Sequence, residues 1–153
     1  MENGRLTAGE QPRKVLLSGE LHVDRPVDEA LALFTPVGER AWVDGWDPHF
    51  PAGELGDGTA PGTAFTTEHD GNRTFWVVVA RDDAAVRYAR VTPGVAAGLV
   101  EVTCRADPRG GTRVEVTYEL TALSDDGEAH LAQFAAGYED HLAEWARAIA
   151  TRT

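Results

Sequence analysis

The chain has 153 residues, 42% hydrophobic and 25% charged, with 25 acidic against 14 basic side chains and a formal net charge of −11. That length predicts one domain with its own core, and the negative charge excludes nucleic acid, which needs a basic surface. A lone cysteine, Cys104, excludes an intrachain disulfide framework, and no apolar run approaches the roughly 20 residues of a membrane span.

Residues 1–13 hold Gly4, Gly9 and Pro12 without periodicity and are predicted to be a disordered tail, with a single domain over 14–151. The N-terminus has no signal-peptide core, so a cytoplasmic location is expected. Lys14–Asp24 reads as a strand, with Val15, Leu17, Leu21 and Val23 on one side and Ser18, Glu20 and His22 on the other. Pro26 suits the start of a short helix carried by Val27, Ala30, Leu31 and Phe34. Thr35-Pro36 opens a second one bearing Glu39, Ala41, Trp42 and Val43.

Gly45–Pro61 is dense in Gly, Pro and Asp and is expected to be loop. Thr63–His69 and Arg73–Arg81 form a predicted hairpin across Asp70-Gly71-Asn72. Strands follow at Ala85–Thr92, Gly98–Ala106 and Thr112–Leu123; in the last, Val114, Val116, Tyr118 and Leu120 share a face. The chain ends in a stripe of Leu131, Phe134, Ala135, Tyr138, Leu142, Trp145, Ala146 and Ile149. It predicts an amphipathic helix from Asp126 to Ala150, capped by Ser124 or Asp125, with Asp125 and Glu128 spaced as a capping box. At about 1.5 Å per residue that helix is roughly 37 Å long, enough to cross a small domain.

The run Phe34-Thr35-Pro36-x-Gly38-Glu39-x-x-Trp42-x-x-Gly45-Trp46-x-Pro48 resembles the SRPBCC superfamily, the START-like or Bet v 1-like proteins that include polyketide cyclase/dehydrase types. Gly110-Gly111-Thr112-Arg113-Val114, leading into a tyrosine-bearing strand and a terminal helix, extends the resemblance over roughly 14–149. It implies an α+β helix-grip fold: a curved antiparallel sheet of about six or seven strands wrapped around a long C-terminal helix, with two short helices after the first strand. A cavity is then expected between helix and sheet, taking a small hydrophobic or aromatic molecule. Three roles are open: a cyclase/dehydrase- or lyase-like enzyme, a non-catalytic lipid or metabolite carrier or sensor, and an interaction module like the Hsp90-ATPase activators. Ionisable groups converging in a pocket favour the first, an all-apolar pocket the second, and a filled core the third. A monomer or a homodimer is expected.

Candidate acid–base groups are His141 on the border of the helical stripe, Glu39 in the second short helix, and His69 in the hairpin. Candidate ligand contacts are Trp42, Trp46, His49 and Phe50 around the expected lid, with Phe134, Tyr138 and Trp145 on the terminal helix and Tyr118 on the last strand. The hairpin leaves two possibilities, because both faces carry large apolar groups. Phe65, Thr67, His69, Thr74 and Trp76 form one face, and Glu68, Phe75, Val77 and Val79 the other. Arg87 competes in the same way with Tyr88 and Arg90, and an inward arginine needs an anionic or carbonyl-bearing partner. The five histidines show no metal-binding spacing, and no glycine-rich nucleotide loop occurs, so neither a metal nor a cofactor is expected.

Overall fold

A computed structural model describes residues 13–153. The expected tail lies outside the described residues apart from Arg13, whose guanidinium pairs with Glu128 at 3.0 Å. Six strands, β1 (Lys14–Val23), β2 (Ala64–His69), β3 (Asn72–Arg81), β4 (Ala85–Thr92), β5 (Ala96–Ala106) and β6 (Thr112–Ala122), form one antiparallel sheet in the order β1-β6-β5-β4-β3-β2. Helix α1 (Val27–Ala32) and a 3₁₀ turn over Gly38–Ala41 follow β1, and helices α2 (Asp125–Ala136) and α3 (Tyr138–Arg152) end the chain. The α+β helix-grip arrangement expected from the sequence is therefore present.

Alternation along each strand sorts the side chains between the two faces. Val114, Val116, Tyr118 and Leu120 of β6 are buried, as are Val100, Val102 and Cys104 of β5 and Val86 and Tyr88 of β4. The hairpin resolves in favour of its first face: Phe65, Thr67, Thr74 and Trp76 point inward, and Phe75, Val77 and Val79 stand exposed on the convex side. Its register pairs Phe65 with Trp76 and Thr67 with Thr74, so the two-residue turn sits at Asp70-Gly71. There Asp70 takes a positive φ of 51°, which an aspartate tolerates better than most residues. On β4 the inward arginine is Arg90; Arg87 points outward beside Glu101, 3.6 Å away.

The terminal helical stretch is divided at Gly137, whose φ of −100° and ψ of 10° leave the helix. A Cβ there would meet nothing nearer than 3.7 Å, so crowding does not impose the break. Glycine's weak helix preference, about 1 kcal/mol below alanine, makes it the cheapest place to bend. Ser124 is the N-cap, its Oγ accepting from the Gly127 N–H at 2.9 Å. The expected Asp125–Glu128 box is absent, because the cap is Ser124 and its third helical residue is Gly127; Glu128 pairs with Arg13.

α3 lies directly over β1. At Gly19 an added Cβ would fall 2.4 Å from Leu142 Cδ1, so glycine is what permits this contact. Tyr138, Leu142 and Ile149 form its buried edge, while Trp145 meets the Trp42 ring edge-on at 5.9 Å. Trp145→Ala should therefore cost about 3 kcal/mol in a urea melt, and Glu144→Ala, on the exposed side, about half a kcal/mol or less. Equal changes in midpoint would show that the helix face is wrongly assigned.

Candidate functional site

The site begins with a backbone turn. Thr35 is fully buried; its hydroxyl donates to the Ala32 carbonyl at 2.8 Å and accepts from the Gly38 N–H at 2.9 Å. Gly38 passes so close to α1 that a Cβ would lie 1.8 Å from the Ala32 oxygen. This tight passage aims the next side chain, Glu39, at the concave face of the sheet. Just beyond α1, three carbonyls of the turn that follows it are taken up by side chains of the site itself. Trp42 Nε1 donates to Leu33 O at 2.7 Å, Tyr88 Oη to Phe34 O at 2.9 Å, and Trp46 Nε1 to Pro36 O at 2.7 Å. Two indoles and a phenol are thereby locked as walls. From the far side, Arg152 of α3 donates to Trp42 O at 3.0 Å and to Asp44 at 2.7 Å, tying the end of the chain to the same turn.

These walls enclose a cavity of about 270 Å³. Its floor is Val100, Val102, Val116 and Tyr118 of β5 and β6 with Tyr88 and Arg90 of β4; its sides are Phe34, Glu39, Trp42, Trp46, Trp76 and Trp145. Exposed Asp44, Gly45, Glu68 and His69 mark its mouth. All four tryptophans of the chain touch this space. Beneath it Phe65 stacks parallel to Trp76 at 5.6 Å and Phe50 backs Phe65 at 5.4 Å, so the wall has a second aromatic layer.

Two ionisable groups stand out in this apolar setting. Glu39 is half-buried as a whole residue, and its side chain lines the aromatic chamber. Loss of solvent there pushes its carboxyl up to about 8, because desolvation disfavours the charged form. The same cause holds Arg90 below the usual guanidinium range. Its Cζ lies 4.9 Å from the Trp76 ring centroid, within cation–π range. Tyr118 is pushed up to about 12, by burial against the opposing pull of Arg90, and remains a hydrogen-bond donor at neutral pH. An acid poised near neutrality, a fixed cation and a phenol donor share one aromatic chamber.

Of the residues singled out from the sequence, Glu39, Trp42, Trp46, Trp76, Tyr88, Arg90, Tyr118 and Trp145 line the cavity, and His69 stands at its mouth. His69 is exposed and sits 3.1 Å from Asp70 at the hairpin tip. Phe50 and Phe65 belong to the supporting layer. His49 is exposed, its backbone bridging to Thr66. His141, Phe134 and Tyr138 do not reach the cavity. The Tyr138 hydroxyl donates to Val116 O at 2.5 Å, and His141 packs on Phe134 at 5.6 Å. The reason is the seat of α3 over β1, which leaves only Trp145 to overhang the chamber. The apolar floor residues Val100, Val102 and Val116 were foreshadowed only by strand alternation, and Phe34 by the motif that carries it. Among the described residues no group of three or more His, Cys, Asp or Glu is placed to hold a metal, and no helix is long and apolar enough to cross a membrane.

Comparison with known proteins accords with this architecture. CalU16 from Micromonospora echinospora is 20% identical, with a TM-score of 0.61 over 89% of this chain and 75% of that one. DynU16, a protein of the dynemicin biosynthetic locus, is also 20% identical, with a TM-score of 0.61 over 86% of this chain and 46% of that one. Ginseng major latex-like protein 151 from Panax ginseng is 14% identical, with a TM-score of 0.62 over 92% and 98% of the two chains. These likenesses show the shared fold. No curated protein sequence matches the chain. The match that extends from the first strand into the last turn of α3, residues 14–150, is to the family described as polyketide cyclase/dehydrase and lipid transport, and to that family the chain belongs.

Proposed function

We propose that the protein binds a small, largely aromatic molecule in this cavity and moves a proton on it through Glu39, in a ring closure or dehydration of a carbonyl compound. The observation that carries the reading is the Glu39 carboxyl, set among tryptophans and held near pH 8. A general acid–base works best with a pKa close to the operating pH. As carboxylate, Glu39 takes the proton from a carbon beside a carbonyl. The resulting enolate carbon bonds to a second carbonyl of the same substrate, and Glu39 returns its proton to the alkoxide so formed; a second abstraction from the same carbon, with that proton passed to the departing hydroxyl, releases water and leaves the double bond. Tyr118, a phenol lining the same chamber, is the donor offered to the developing enolate oxygen. Two ionisable groups in one chamber support an enzyme over a carrier, and an open chamber supports either over an interaction module.

Because every tryptophan lines the cavity, intrinsic fluorescence should be quenched strongly by bicyclic phenols and aryl ketones. Glu39→Gln should leave that binding within a few-fold while lowering turnover of aryl polyketones by about 10²–10⁴. Quenching without Glu39-dependent turnover would identify a carrier. No quenching by any such compound would end the small-molecule reading.

A further inference from the structure

Resting on that small-molecule reading, we infer that the ligand carries a carboxylate and that Arg90 is the group that receives it, with the aromatic body held against the indole walls of the chamber.

Among the described residues around the chamber every charge but one is paired or largely neutralised. Glu68 accepts two bonds from Arg73, the shorter 2.6 Å, and Asp44 is held by Arg152 at 2.7 Å. His69 faces Asp70 at 3.1 Å. Glu39 is mostly protonated at neutral pH, since desolvation sets its carboxyl near 8, and so offers little counter-charge. Arg90 is left as the chamber's one full charge without a partner of opposite sign among the described residues. Its Nε is buried with no acceptor, and Nη2 makes a single long bond, 3.3 Å, to Thr92 Oγ1. That hydroxyl is already engaged with Thr74 Oγ1 at 2.6 Å. A guanidinium offers five N–H donors, and a desolvated cation with this little compensation is costly to maintain. Trp76 supplies one face of the guanidinium with a π surface but no acceptor.

What is missing is a planar acceptor in the plane of the fork, the geometry that a carboxylate supplies bidentately. A phosphate monoester would set close to two charges against one guanidinium. Size sharpens the choice: about 270 Å³ is below the roughly 300–1,000 Å³ of drug-sized sites. That space suits an aryl acid of one or two rings better than a whole phospholipid.

The test compares 2-naphthoate with its neutral isostere 2-naphthamide by tryptophan quenching at pH 7, in the unmodified protein, Arg90→Met and Arg90→Lys. The unmodified protein should bind the acid at least tenfold more tightly than the amide. Arg90→Met should abolish that preference while holding amide affinity within about threefold, which also reports an intact fold. Arg90→Lys should keep part of it, retaining the charge and losing the fork. Equal affinities in the unmodified protein, a preference for the amide, or a preference that survives in Arg90→Met would overturn the inference while leaving the cavity reading standing. Failure of both probes to bind the unmodified protein at millimolar concentration would overturn both. Equal affinities in the unmodified protein overturn the inference by themselves, and Arg90→Lys offers a milder second variant where Arg90→Met folds poorly.

Discussion

At pH 9 the Glu39→Gln protein is expected to be more stable than the unmodified one, whereas at pH 5 most of that difference should have gone. In the folded state the Glu39 carboxyl is raised by desolvation from an ordinary 4.5 to about 8. Between those values the folded protein holds a proton that the unfolded chain has released, so protons favour folding. The contribution is complete below about 4.5, is lost as pH rises toward 8, and is gone above it. At about 1.4 kcal/mol for each pH unit between the folded and unfolded values, the full span is on the order of 5 kcal/mol. Glutamine has no proton to lose, and its melting temperature should lack this fall. The carboxylates held below their usual range do not confuse the window. Asp107, fixed by the Arg109 N–H, and Glu119, hydrogen-bonded by Lys14, act only at more acid pH. Parallel pH profiles for the two proteins would mean that Glu39 ionises freely, and its proposed acid–base role would fall with that result.

Gly38→Ala should be the most damaging small substitution in the first half of the chain. The added Cβ would sit 1.8 Å from the Ala32 oxygen and 2.8 Å from Thr35 Oγ1. The closest obstacle is backbone, so no side-chain rotation relieves it. A loss of about 3 kcal/mol, the upper end for overpacking, should appear as a lower urea midpoint with unchanged slope. Tryptophan emission should also change, because Trp42 and Trp46 are anchored to the carbonyls of the same turn. Gly45→Ala is the control. Gly45 has open space around it but a φ of 72°, so only the left-handed penalty of about 1 kcal/mol applies. If Gly38→Ala costs no more than Gly45→Ala, close approach is not what sets the direction of Glu39.

Periodicity and punctuation in the sequence were enough to determine the order of elements. Strict alternation over Thr112–Ala122 marks β6 because one face of that strand is buried and the other is not. The stripe from Leu131 to Ile149 marks the terminal helical stretch for the same reason, as one helix where the chain bends at Gly137, and the tryptophans after Thr35-Pro36 located one wall of the chamber. Local pattern has no power where both faces of an element look alike. Phe65 and Trp76 on one side of the hairpin rival Phe75, Val77 and Val79 on the other, and only the presence of Trp46 and Tyr88 beside the first pair decides which is buried. Arg90 rather than Arg87 turns inward because it shares the parity of Val86 and Tyr88 on β4. His141 has the helical position of a site residue, yet α3 rests on Gly19 of β1, away from the chamber. Glu39 is legible as a glutamate near tryptophans. Its desolvation, and hence its pKa, arises only when Gly38 passes against Ala32 and the sheet closes over the side chain. Ionisation depends on the solvent a group has lost, and that is a property of the assembled fold rather than of neighbours along the chain.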